Sequence, residues 1–170
     1  GALGASLALA IAPSNSAILY AAISDTSAGA GGIYRTSNSG GRWDRVCPID
    51  SLRGYMRAGQ GIHVNCIAVH PQNPNIVYAG SVGLIKSING GGRWAGIDGG
   101  HDDYLFVSFD PANSNALFIG NDGGIFNRNE TTGAISVDIP FLGNSPLQSY
   151  GLDIGWSDGG IDGLLLAIRH

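Results

Sequence analysis

The densest run of ionisable side chains is His101-Asp102-Asp103, with Asp98 just before it and Asp122 a strand-pair further on. An imidazole beside carboxylates can move protons, hold a cation or bind sugar hydroxyls. The bland expectation is that His101 and Asp103 bond loop backbone. A second group, Arg53, Tyr55, Met56 and Arg57, would suit a lip for a sugar or a carboxylate ligand. Cys47 and Cys66 are the only cysteines. Two cannot by themselves make a zinc site, although His63 lies near Cys66. One disulfide and two buried thiols are both open, with the thiols favoured. Nucleophile chemistry has no motif here: there is no Gly-x-Ser-x-Gly string. The glycines at 90, 91 and 92 sit at an expected hairpin tip, not at a helix start, so they are no phosphate cradle. No metal and no cofactor are expected.

What must position these groups is a set of strands and tight turns. Of 170 residues, 44% are apolar and 13% charged, against roughly 25% charged in average globular chains. Glycine accounts for 28 positions, and there is one Lys against eight Arg and one Glu against twelve Asp. Lys and Glu favour helices, whereas Gly, Asp and Asn favour turns. The net charge of −4 gives no reason to expect a nucleic-acid partner. No uninterrupted apolar run reaches the roughly 18 residues of a membrane span. Residues 2–12 are small and apolar but lack a basic start, and are read as a strand of the mature chain rather than a signal peptide. The opening Gly fits a processed or trimmed chain, or a fragment.

The strongest signal is internal repetition. PSNSAILY at 13–20, PQNPNIVY at 71–78 and PANSNALF at 111–118 align without gaps, each after an apolar run. Each reads as strand, Pro-x-Asn turn, strand. Pro sets the first turn position, and Asn is expected to accept unusual backbone angles. A third strand follows at GIYR (32–35), GLIK (83–86) and GIFN (124–127). Two units then share Ser/Thr-x-Asn-x-Gly-x-x-Trp: Thr36, Asn38, Gly40, Trp43, and Ser87, Asn89, Gly91, Trp94. This predicts a hairpin tip in which side chains bond the turn backbone, Gly takes positive φ and Trp covers the turn. In the third unit Glu130, Thr132 and Ile135 stand at those places, so its tip must be held differently.

These residues resemble the box of the Asp-box (BNR-repeat) β-propellers, with Asn38 and Asn89 where Asp is usual. PQNPNIVYAG (71–80) and NDGGIF (121–126) are most similar to the branch that includes sortilin-type and xyloglucanase-type propellers. The resemblance covers nearly the whole chain outside the insert at 47–62. It implies an all-β fold: a β-propeller of four-stranded antiparallel blades, about three and a half of them here, within a ring of the seven-bladed type. Blade 1 is expected over about 5–47, blade 2 over about 63–98, blade 3 over about 103–140, and the start of a fourth over about 147–170. Closing the ring would need blades from a longer chain, the favoured reading, or from a second copy.

In an up-and-down blade the loops alternate between the two faces of the disc. The Pro-x-Asn turns and Asn boxes fall on one, which reads as structural. The irregular loops fall on the other, where binding usually lives; they carry Asp25, Arg53, Tyr55, Arg57, His101, Asp103, Tyr104, Asn121 and Tyr150. The resemblance implies a module that binds a glycan or protein ligand through this face. The alternative is a glycoside hydrolase acting on β-glucan. Xyloglucanase-type enzymes carry a catalytic Asp in a Thr-Asp-x-Gly-Gly string at this blade position, which points to Asp122. The string here is one residue shorter before the paired Gly. A partner carboxylate, Asp98 or Asp103, would have to lie roughly 5–10 Å away. Sialidase chemistry would need an arginine triad and a Tyr nucleophile, which no motif identifies. Related repeats often read His-x-Asp-x-His before the strand; Leu105 replaces the second His, leaving too few ligands for a metal. An extracellular or cell-envelope location fits these relatives.

Overall fold

Short apolar runs punctuated by Gly, Pro and Asn become strands, and no described residue is helical. The computed structural model describes residues 6–24, 31–48 and 66–140, together with the backbone of 148–157 and 160–169. The first antiparallel sheet runs in chain order β1 (Ser6–Ala12), β2 (Asn15–Ser24), β3 (Gly32–Thr36), β4 (Asp44–Pro48). The second is β5 (Cys66–Val69), β6 (Val77–Gly80), β7 (Leu84–Ser87), β8 (Ala95–Ile97). The third is β9 (Tyr104–Phe109), β10 (Ala116–Asn121), β11 (Gly124–Asn129), β12 (Ile135–Pro140). A last hairpin pairs β13 (Gln148–Ser157) with β14 (Gly160–Arg169). The first strands of successive sheets, β1, β5, β9 and β13, are neighbours in turn. Up-and-down sheets joined along their first strands form blades fanned about a shared centre.

Cross-strand register explains how neighbouring blades bury the faces they turn toward each other. In blade 1, Ala8 opposes Ala22, Ala10 opposes Tyr20, and Ile33 opposes Cys47. Tyr20, Ala22, Ile33 and Cys47 pack in one cluster with Ile67, Val69, Val77, Ala79 and Ile85 of blade 2. The opposite side of blade 2, with Cys66, Ala68, Tyr78 and Leu84, packs on Val107, Phe109, Leu117, Ile119 and Phe126 of blade 3. Leu9 and Ile11 are the repeat equivalents of Ile67 and Val69 and of Val107 and Phe109. They are 58% and 53% exposed, because no described blade precedes blade 1. Trp43, exposed on the same side, differs for this reason from Trp94, which packs against blade 1.

The turns are held by side chains. In all three repeats the Pro-x-Asn asparagine accepts the N–H two residues on: Ala17 to Asn15, Asn75 to Asn73, Asn115 to Asn113, at 3.1, 3.0 and 3.1 Å. None of the three takes positive φ. Asn is used there as an acceptor, contrary to the expectation from backbone angles. The β3–β4 and β7–β8 tips repeat one bonding scheme. Thr36 or Ser87 Oγ accepts the N–H of Gly40 or Gly91, and Asn38 or Asn89 Oδ1 accepts that of Arg42 or Arg93. Gly40 and Gly91 have φ of 90° and 95°. Trp94 Nε1 donates to the Gly91 carbonyl at 2.9 Å. The third tip is held from one residue earlier: Asn129 Oδ1 accepts the N–H groups of Thr131 and Thr132. Each tip docks on its own blade's Pro-x-Asn turn, through Ser39 N–H to Ala17 O, Gly90 to Asn75 and Glu130 to Asn115. Tips and Pro-x-Asn turns therefore share one face of the disc.

Buried polar groups tie neighbouring blades. Tyr20 donates to the Pro74 carbonyl and accepts from Arg35. At the equivalent place Tyr78 donates to the Glu130 carboxylate, which also holds Lys86 Nζ at 2.8 Å. The chain's one Lys and one Glu are thus paired between blades 2 and 3. Burial, then Glu130, pushes the Tyr78 hydroxyl far above its ordinary range. Cys47 and Cys66 are both buried and are not joined to each other. Burial raises both thiols, Cys66 to about 12.

Candidate functional site

On the opposite face, two loops are brought together. One is the blade-to-blade loop from Asp98 to Asp103, the other the β10–β11 tip, Asp122-Gly123. The first begins with a self-capping turn in which Asp98 Oδ1 accepts the Gly100 N–H at 2.9 Å. It ends in a left-handed residue, Asp103, with φ of 61°. The N–H groups of Asp103 and Tyr104 donate to the carbonyls of Val82 and Ser81 in the β6–β7 turn. A non-glycine residue at positive φ costs roughly 1 kcal/mol or more, and the turn bonds hold it there.

The loop bounds a cleft of about 420 Å³ lined by Asp98, Gly100, His101, Asp102 and Tyr104, with Gly83 and Leu84 opposite. Asp98, His101 and Asp102 are exposed. Tyr104 is only 3% exposed, so it is a wall of the cleft and not a stacking platform. Burial pushes its hydroxyl up to about 12, with the charges of Asp102 and Asp98 adding to the effect. Asp122 stands outside this lining, half-buried at the neighbouring tip. Its carboxyl is raised above the ordinary value by desolvation first and by the charge of Asp103 second, while His101 opposes the shift. Asp98 and Asp102 thus act electrostatically on Tyr104, and Asp103 and His101 on Asp122. Of the two partners expected for Asp122, Asp103 is the one whose charge it feels.

Asn121 is fully buried and joins the two loops instead of facing a ligand. Tyr150 lies in the backbone of β13, and Asp25, Arg53, Tyr55 and Arg57 lie outside the described residues, as does most of the 47–62 insert. Thr36, Asn38, Gly40, Trp43, Ser87, Asn89, Gly91 and Trp94 all sit at tips on the far face. One residue the sequence did not single out is Arg128, whose Nη1 donates to the Asp98 carbonyl at 2.9 Å. Its signal was available: a cation in a strand that is otherwise apolar and polar-neutral. Among the described residues no group of three or more His, Cys, Asp or Glu side chains could hold a metal ion, and no helix is long and apolar enough to cross a membrane.

Three blades and a partial fourth about one centre define an all-β chain of β-propeller type, present as a partial ring. Solved structures carry the same fold. An ancestral GH74 enzyme superposes with a TM-score of 0.64 at 18% identity, over 93% of this chain and 21% of that one. The GH74 xyloglucanase from Xanthomonas campestris does so with a TM-score of 0.61 at 12% identity, over 86% of this chain and 24% of that one. The chain thus spans about a fifth to a quarter of the length of these two. No known protein family and no curated protein matches the sequence.

Proposed function

We propose that this chain is part of a glycoside hydrolase-like propeller acting on a β-glucan of the xyloglucan class. Asp122 is the acid and Asp103 its partner carboxylate. The observation that carries the reading is a half-buried Asp122, its carboxyl raised by desolvation first and by the charge of Asp103 second, next to an open cleft with further carboxylates. A glycosidase needs one carboxyl that keeps its proton and one that does not. Two structural neighbours, an ancestral GH74 enzyme and a GH74 xyloglucanase, support the same chemistry. Turnover of xyloglucan oligosaccharides by the purified chain, reduced about 10²–10⁴-fold in Asp122→Ala with the fold intact, is the expected result. No release of reducing ends from any β-glucan would overturn it.

A second reading, an Asp-box module that binds a glycan or a protein segment without turnover, is favoured by one observation. The only aromatic ring on the described cleft, Tyr104, is buried and offers a sugar no flat surface. Calorimetric binding without hydrolysis would select it. A polymeric glycan meets the protein outside the cytoplasm, so an extracellular or cell-envelope location belongs to both readings. A further blade, from a longer chain or a second copy, would cover Leu9 and Ile11. Light scattering that shows a folded monomer would dismiss the second copy.

A further inference from the structure

The two loops that carry the candidate carboxyls are fastened to each other by one side chain. Asn121 is 0% exposed. Its Nδ2 donates to the carbonyls of Gly99 and His101, each at 3.1 Å. Its Oδ1 accepts the Gly123 N–H at 2.9 Å. An amide offers two donor hydrogens and one carbonyl, and here every donor is used. The first two bonds grip the Asp98–Asp103 loop, and the third shapes the tip that presents Asp122. The fit between the loops is close: a Cβ at Gly123 would stand 2.7 Å from His101 Cβ. Arg128 adds a separate anchor at the Asp98 carbonyl.

We propose that Asn121 is the positioning residue of this site: by bonding both loops it sets Asp122 against His101 and Asp103. Only the catalytic consequence rests on the hydrolase reading; the placement does not. Asn is required because Asp has no donor for the Gly99 and His101 carbonyls, and Leu would leave both carbonyls and the Gly123 N–H without these partners, the Gly99 bond being the buried one. The charged groups that act on Asp122 are Asp103 and His101; keeping the loops closed holds its carboxyl raised through desolvation first and the charge of Asp103 second, with His101 opposing.

The test is a carboxyl-carbon NMR titration of Asp122 in the whole chain. In Asn121→Ala the loops part, and the Asp122 midpoint should fall toward that of an exposed aspartate. Gly123→Ala wedges the same loops apart at His101 with Asn121 in place, and should move the midpoint in the same direction. It serves if Asn121→Ala does not fold. Asn89→Ala, at a tip on the far face, should leave it unmoved. An unmoved midpoint in either folded loop variant, or an equal shift in Asn89→Ala, overturns the proposal. In a hydrolysis assay Asn121→Ala should lower kcat about tenfold or more with KM nearly unchanged, as misorientation does. A shifted midpoint in a protein whose wild type turns over no glycan removes the hydrolase reading and leaves the positioning role standing.

Discussion

The pairing of the one lysine with the one glutamate allows a sharp test of how blades are joined. Lys86 Nζ and Glu130 Oε2 are 2.8 Å apart, with side chains 21% and 7% exposed. At that distance and an effective dielectric of about 20, the gross attraction is about 6 kcal/mol. Desolvation of both groups offsets most of it. What remains measurable is the coupling. Lys86→Met leaves the buried Glu130 with only the Tyr78 hydroxyl, and should cost about 3–4 kcal/mol. Glu130→Gln keeps the shape and an acceptor for Tyr78, while the more exposed Lys86 reaches water, so about 2 kcal/mol is expected. The double variant should lose no more than Lys86→Met alone, which gives a coupling of about 2 kcal/mol. Urea unfolding followed by tryptophan fluorescence reads all four proteins, provided the slope m stays constant. Losses that add to within about 0.5 kcal/mol would show that the ion pair does not join blades 2 and 3.

Three further outcomes follow from the geometry. Gly91→Ala should destabilise by about 2–4 kcal/mol in the same urea assay, because left-handed strain adds to overpacking: φ is 95° and the new Cβ would lie 2.5 Å from Val46 Cγ2. Asn89→Ala should lose about 1–2 kcal/mol, since Oδ1 accepts from Arg93 N–H and Ser87 Oγ, whereas Asn89→Asp keeps both acceptor bonds and should match or exceed wild-type stability. For Asp122 the sign is set by its raised folded value: the folded state binds its proton more tightly, so that contribution is present in acid and is lost as pH rises through the folded value. Asp122→Asn should therefore be the more stable protein at pH 7, with the gap closing below about pH 4, as thermal melts across pH would show.

Much of the fold was legible because the repeat writes it three times. Pro-x-Asn followed by an apolar triplet and a glycine-led strand carries its own register, so strand order needed no tertiary information. The Thr36–Trp43 and Ser87–Trp94 tips were readable as hydrogen-bond schemes for the same reason. The third tip was not, because Asn129 does the work of Asn89 from a shifted position and no spacing rule predicts that. The site was harder to read. His101, Asp103 and Asp122 stood out by type, but which carboxylate's charge reaches Asp122 depends on how the loop that ends in Asp103 at positive φ packs, with His101 against Gly123. Both are long-range consequences of how two blades meet. Asn121 read as a ligand contact because a polar residue at a loop start looks exposed; only its neighbours in space make it internal.

Leu9 and Ile11 bear on how such arcs change length over evolution. Each blade is a two-sided plug, with the same kind of oily surface left and right, so an extra unit inserted by gene duplication would find mating surfaces already made. Deletion at either end leaves a bare strip of this kind, with a cost in solubility that an interior duplication would avoid. Growth of the array is permissive, whereas trimming leaves a scar.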